Sequence, residues 1–179
     1  MKLLAISGSL RAASINTALL ELAARLAPAD VSVELFAGLG DLPHFNADRE
    51  AEPIPSVLEW RERVRTADGL LICSPEYAHG VPGSLKNALD WLVGGVEIVD
   101  KPVALLNASP YSTHAHASLA ETLRTMSARV VPEASLTLPV RGKPLPTGGL
   151  ATDPAVVAGL RASLHEFVRA TQTARPPQG

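Results

Sequence analysis

The stretch "SPEYAHGVPGSLKNALDW", residues 74–91, leads out of the almost unbroken apolar run "GLLICS" at 69–74 and enters an amphipathic pattern. Leu85, Ala88, Leu89 and Leu92 recur at i, i+3, i+4 and i+7, the spacing of one helix face. An apolar run without alternation predicts a parallel strand covered on both faces. Between strand and helix, residues 75–80 supply a proline, an acid, a tyrosine, a histidine and a glycine. A plain strand-to-helix turn needs about four residues and no such chemistry. Pro75 pushes Ser74 toward extended backbone, so the chain leaves the strand without starting a helix. Backbone N–H and C=O groups of such a loop suit the hydrogen-bonding rim of a flat heteroaromatic ring.

The same alternation extends outward from this unit. "LLAIS" (3–7), "VSVELF" (31–36), "VALLNA" (103–108) and "VVPEASLTL" (130–138) are the other strand-like runs. Helical stripes comprise Leu19, Leu22, Ala23 and Leu26; Val57, Trp60, Val64 and Ala67; and Leu119, Leu123 and Met126. A last stripe, Val157, Leu160, Leu164 and Phe167, is entered through Asp153-Pro154, a good N-cap and N1 pair. Five strands alternating with five helices predict an α/β fold of three layers, α/β/α, around a five-stranded parallel sheet. In the order 2-1-3-4-5, ligands bind outside the carboxyl ends of the first and third strands. A single domain over residues 1–172 is expected, with residues 173–179 a disordered tail. The loops 37–54 and 139–152 are longer than the connections require.

Composition excludes more than it identifies. A length of 179 residues, 46% hydrophobic and 19% charged, is ordinary for one globular domain. A net charge of −2 offers no electrostatic argument for nucleic acid or an anionic membrane. No apolar stretch approaches the roughly 20 residues that span a bilayer. "MKLLAISGSL" reads as a first strand, its apolar segment too short for a signal peptide. A single cysteine, Cys73, excludes an internal disulfide. The expected location is the cytoplasm.

After the first strand the chain reads "SGSLRAASINT" (7–17) and then turns helical. A helix N-terminus offers free N–H groups and the positive end of the dipole. Ser9, Ser14 and Thr17 add hydroxyls, Asn16 an amide and Arg11 a forked cation suited to phosphate. Each residue alone has a plain reading: an N-cap, a turn, a solvated charge. Together, in the loop after the first strand, they point to a phosphate cradle. Neither the Walker pattern nor the dinucleotide fingerprint is present, so the phosphate belongs to another ligand, such as a mononucleotide.

"GSLRAASIN" together with "SPEYAHGVPGSLKNALDW" resembles the NADPH-dependent FMN reductase family, a flavodoxin-like group that includes quinone, azo-dye and chromate reductases. "LPHFNADRE" (42–50) is similar to a loop common after the second strand of these proteins. The resemblance implies that Ser9, Arg11, Ser14, Asn16 and Thr17 hold the FMN phosphate, with Ile15 contributing backbone. It implies that Pro75, Glu76, Tyr77 and Ala78 line the isoalloxazine ring, mostly through main chain, and that Ser109 approaches from the other side. Ala78 departs from the family's usual asparagine, and "NASPYSTHAHASL" (107–119) lacks the glycines many members have there.

The implied activity is an FMN-dependent NAD(P)H oxidoreductase, taking hydride from NADPH or NADH and serving a quinone, flavin, azo or metal-oxyanion acceptor. In such an enzyme the cofactor carries the chemistry, and no side chain is named as catalytic. A homodimer or homotetramer is implied likewise. The competing reading is a flavodoxin-type electron carrier that binds FMN without oxidising NAD(P)H. Such carriers are usually acidic and rich in loop aromatics, whereas aromatics are 4% here. Cys73 is expected to pack in the core, Trp60 and Trp91 in the core or a subunit contact, and Lys86 and Asp90 to form a structural i, i+4 pair. His114 and His116 lack the i, i+4 spacing of a helical metal site, and no metal is expected.

Overall fold

The computed structural model describes residues 1–140 and 149–173. The first half alternates as β1 (Lys2–Ser7), α1 (Ile15–Leu26), β2 (Ser32–Leu35), α2 (Pro55–Thr66) and β3 (Gly69–Cys73). It continues with α3 (Gly83–Asp90), β4 (Pro102–Asn107), α4 (Thr113–Thr125), β5 (Arg129–Val130), β6 (Leu136–Thr137) and α5 (Pro154–Thr173). All strand pairs are parallel, in the expected order β2-β1-β3-β4-β5, with β6 also on β4.

Alternation along each strand divides the core between the two faces. Leu4, Ile6, Leu70, Ile72, Val103 and Leu105 pack with residues of α2, α3 and α4. Leu3, Ala5, Leu71, Cys73, Ala104 and Leu106 pack with residues of α1 and α5. Buried on both faces, these strands have no polar side, which is why their sequence does not alternate.

The expected fifth strand, 130–138, is broken into β5 and β6 by a 3-10 turn at Pro132–Ala134. Pro132 has no N–H for a ladder. Ser135 repairs the gap: its hydroxyl accepts from the Leu105 N–H at 3.1 Å and donates to the Val131 carbonyl at 2.9 Å. The ladder bond that β4 loses is thus replaced by a side chain. In α5, Val156 rather than Val157 is the buried valine, and the helix reaches the last described residue, Thr173. Most of the long loop 139–152 and the expected tail from 174 onward lie outside the described residues.

Both tryptophans are fully buried. Trp60 Nε1 donates to the Ala88 carbonyl at 2.8 Å, and Trp91 Nε1 to the Pro43 carbonyl at 2.8 Å. Asn87 clamps the same "LPHFN" segment, accepting from Phe45 N–H at 2.7 Å and donating to Pro43 at 2.9 Å. Lys86 and Asp90 pair across one turn of α3.

Candidate functional site

Ser7 ends β1 and Cys73 ends β3, and the two are paired in register. From there the connections run to opposite sides of the sheet, to β2 and to β4, so a crevice must open between them. Gly8 permits the close approach of the two chain exits. Its N–H donates to the Cys73 carbonyl at 2.9 Å, and a Cβ there would collide with Ser74 Oγ. Above this junction lies a cleft of about 280 Å³, near the lower end of small-molecule sites.

Eight sequence-predicted residues meet in its wall: Ser9, Arg11, Ser14, Ile15, Asn16, Pro75, Tyr77 and Ser109. Ser14 caps α1, its Oγ accepting from the Thr17 N–H at 3.4 Å. The plain reading of Ser14 is therefore right without excluding the other one. Its oxygen is used by the cap, and its hydroxyl proton is left to donate into the cleft. Ser9 is arranged alike, its Oγ accepting from the Arg11 N–H at 3.4 Å. With the Thr17 N–H taken by the cap, the N–H groups of Ile15 and Asn16 have no acceptor within the helix. Arg11 stands in the same wall and forms no ion pair among the described residues. Among the described residues no aspartate or glutamate lines the cleft. Donors, a cation and a helix N-terminus are the chemistry that suits an anion.

Three predicted residues stand outside the wall. Thr17 turns its hydroxyl to Ser7 Oγ at 2.8 Å, bracing the base of the loop. Glu76 reaches across to α4, where Oε2 accepts the Ala115 N–H at 2.8 Å. This carboxylate satisfies a free donor in the first turn of α4 and ties the two loops together. Ala78 lies in a tight hairpin closed by Tyr77 and Gly80, with His79 beside it. Both central residues have positive φ, +48° and +61°. Asparagine tolerates that conformation better than alanine.

Sequence reading missed Asn107 and Ser112, which also line the cleft. Asn107 Oδ1 accepts from the Ser109 N–H at 3.0 Å, and Nδ2 donates to the Ser112 carbonyl at 3.3 Å. These side-chain bonds hold the glycine-free loop in its turn. The signal was available: a polar residue closing the apolar run of a strand buried at every position. Tyr111 and Tyr77 are exposed at the ends of these loops, and His114 stacks on His79 with ring centroids 4.2 Å apart. Neither His114 nor His116 lines the cleft. Burial pushes the His116 imidazole below the ordinary histidine range.

The donor set fits a phosphate with its three acceptor oxygens, and Pro75 and Tyr77 flank the remaining wall, where a planar ring can lie. The family model described as NADPH-dependent FMN reductase matches residues 1–141. An NAD(P)H-dependent FMN reductase of Pseudomonas aeruginosa is 44% identical over 112 residues, 61% of this chain and 60% of its own. A quinone reductase of Escherichia coli is 37% identical over 106 residues, 58% of this chain and 55% of its own. The chain thus spans somewhat over half the length of these two relatives. The solved structure of the NAD(P)H:(acceptor) oxidoreductase FerB from Paracoccus denitrificans superposes with a TM-score of 0.86 at 28% identity, covering 97% of this chain and 98% of that one. With the fold, the cleft and these matches in agreement, the chain belongs to the NADPH-dependent FMN reductase family.

Proposed function

We propose that the protein is an FMN-dependent NAD(P)H oxidoreductase serving a small-molecule acceptor of the quinone, flavin, azo or metal-oxyanion kind. One observation carries the reading: a cleft at the switch point, without a carboxylate among its described lining residues, walled by Ser9, Ser14, Asn16 and Arg11 together with Pro75, Tyr77 and Ser109. Bound FMN would supply a ring that accepts hydride from NAD(P)H and yields it to the acceptor. The chain's own part is to bind and orient. Ser9, Ser14, Asn16, Arg11 and the α1 N-terminus would hold the phosphate. Pro75 and Tyr77 would place the ring, with Ser109 facing it. Glu76 and Ala78 would serve through the shape of their loop, and Thr17 through its brace on Ser7.

The names of the relatives support this reading, one an FMN reductase and one a quinone reductase. Residues 1–172 would form one flavodoxin-like domain, working in the cytoplasm as a homodimer or homotetramer. No described helix is long and apolar enough to cross a membrane. The deciding experiment is an anaerobic NADPH titration of FMN-reconstituted protein, followed by flavin absorbance. Rapid bleaching to fully reduced flavin supports the reductase. Bound flavin that stays yellow with both NADPH and NADH overturns it and leaves the electron carrier.

A further inference from the structure

One hydrogen bond behind the cleft wall has no part in the contacts proposed above. The Cys73 thiol donates to the Asn16 carboxamide oxygen at 3.3 Å, across 57 positions of sequence. Both residues are buried, Cys73 completely and Asn16 to 5% exposure. The Cys73 carbonyl holds Gly8 at 2.9 Å, so strand end and loop are anchored at the same residue. No other hydrogen bond among the described residues engages the Asn16 side chain. A carboxamide has an accepting edge and a donating edge. With Oδ1 turned down to the sulfur, the amide NH2 is the edge left for the cleft. The reverse orientation would aim a carbonyl oxygen at any anion bound there.

We propose that Cys73 is a positioning residue, whose thiol holds the Asn16 carboxamide with its NH2 toward the anion gathered by Ser9, Ser14 and Arg11. The anion is taken to be the FMN phosphate, so the proposal rests on the function proposed above. A positioning thiol must keep its proton, and burial pushes the Cys73 pKa up. The thiol is then a donor throughout the physiological range, where a thiolate would repel both the carbonyl oxygen and the phosphate.

Two measurements test the proposal. The chain has one cysteine, so the infrared S–H stretch of the apo-protein reports Cys73 alone. Asn16→Ala should move that band to the frequency of an unbonded thiol; an unmoved band overturns the hydrogen bond. The second measurement is a pair of titrations with FMN and with riboflavin, which lacks the phosphate. Cys73→Val should weaken FMN about fivefold, the equivalent of one ordinary hydrogen bond, leave riboflavin unchanged, and have no further effect in an Asn16→Ala background. Equal loss for both ligands means lost packing, and undiminished loss without Asn16 means another route; either overturns the positioning role. Cys73→Ala serves as second variant if the valine fails to fold. Wild-type protein that binds FMN no better than riboflavin overturns the phosphate reading itself. Normal FMN preference with an indifferent Cys73→Val overturns the positioning alone.

Discussion

The Tyr77 N–H donates to the Gly80 carbonyl at 3.1 Å, and the Gly80 N–H returns to the Tyr77 carbonyl at 2.9 Å. This reciprocal pair closes a two-residue hairpin turn in which Ala78 and His79 take φ of +48° and +61°. Left-handed backbone costs an ordinary residue about 1–2 kcal/mol, and hairpin turns of this kind favour Asn-Gly. Ala78→Gly should therefore stabilise the fold by about 1 kcal/mol, and Ala78→Asn by somewhat less. A gain of ~2–4 °C in thermal midpoint is the expected reading. A drop with both variants would show that the Ala78 methyl makes a contact worth more than the strain.

Arg11 is the cation of the cleft wall. A charge-assisted hydrogen bond contributes about 1.5–3 kcal/mol. Arg11→Ala should weaken FMN by roughly 10- to 100-fold, raise the salt-independence of what binding remains, and leave riboflavin affinity unchanged. Fluorescence titration with the two ligands at low and high salt decides it. An unaltered FMN dissociation constant removes Arg11 from the site.

Glu76 joins the loop after β3 to the first turn of α4 through the Ala115 N–H at 2.8 Å. Removing such a helix-capping acceptor costs about 0.5–2 kcal/mol. Glu76→Ala should lower stability by about that amount in urea denaturation. Glu76→Gln keeps an acceptor at nearly the same place and should lose less. Identical losses would mean that the charge, and not the hydrogen bond, holds the two loops together.

Cys73 predicts a pH dependence. Its pKa is raised in the folded state by burial, whereas in the unfolded chain a thiol ionises near ~8.5. Below that value both states are protonated and the group is silent. Above it the unfolded chain loses the proton that the folded chain keeps, so stability falls by about 1.4 kcal/mol per pH unit. Between pH ~8.5 and ~10.5 wild-type stability should decline faster than that of Cys73→Val. Parallel curves would mean that the folded thiol ionises as easily as the unfolded one.

Much of the molecule was legible before its shape was known. The almost unbroken apolar runs at 69–74 and 103–108 are the pattern of strands covered on both faces, and their alternation with helical stripes pointed to the layers. The strand order placed the "GSLRAASIN" and "SPEYAHG" loops at one crevice, because a parallel sheet changes winding direction there. Local patterning carries these features, since period and composition act over neighbouring residues.

Other features required the tertiary structure, because they depend on which distant groups meet. Sequence could not tell that Ser135 lies beside the Leu105 N–H and lets the last strand break at Pro132. Nor could it assign Glu76 to α4, 39 residues away, in place of the cleft. Ser14 is an N-cap by pattern and a cleft donor only by position. Residue type decides what each group can donate or accept. Packing across the sheet decides which partner consumes that capacity, and so what is left over for a ligand.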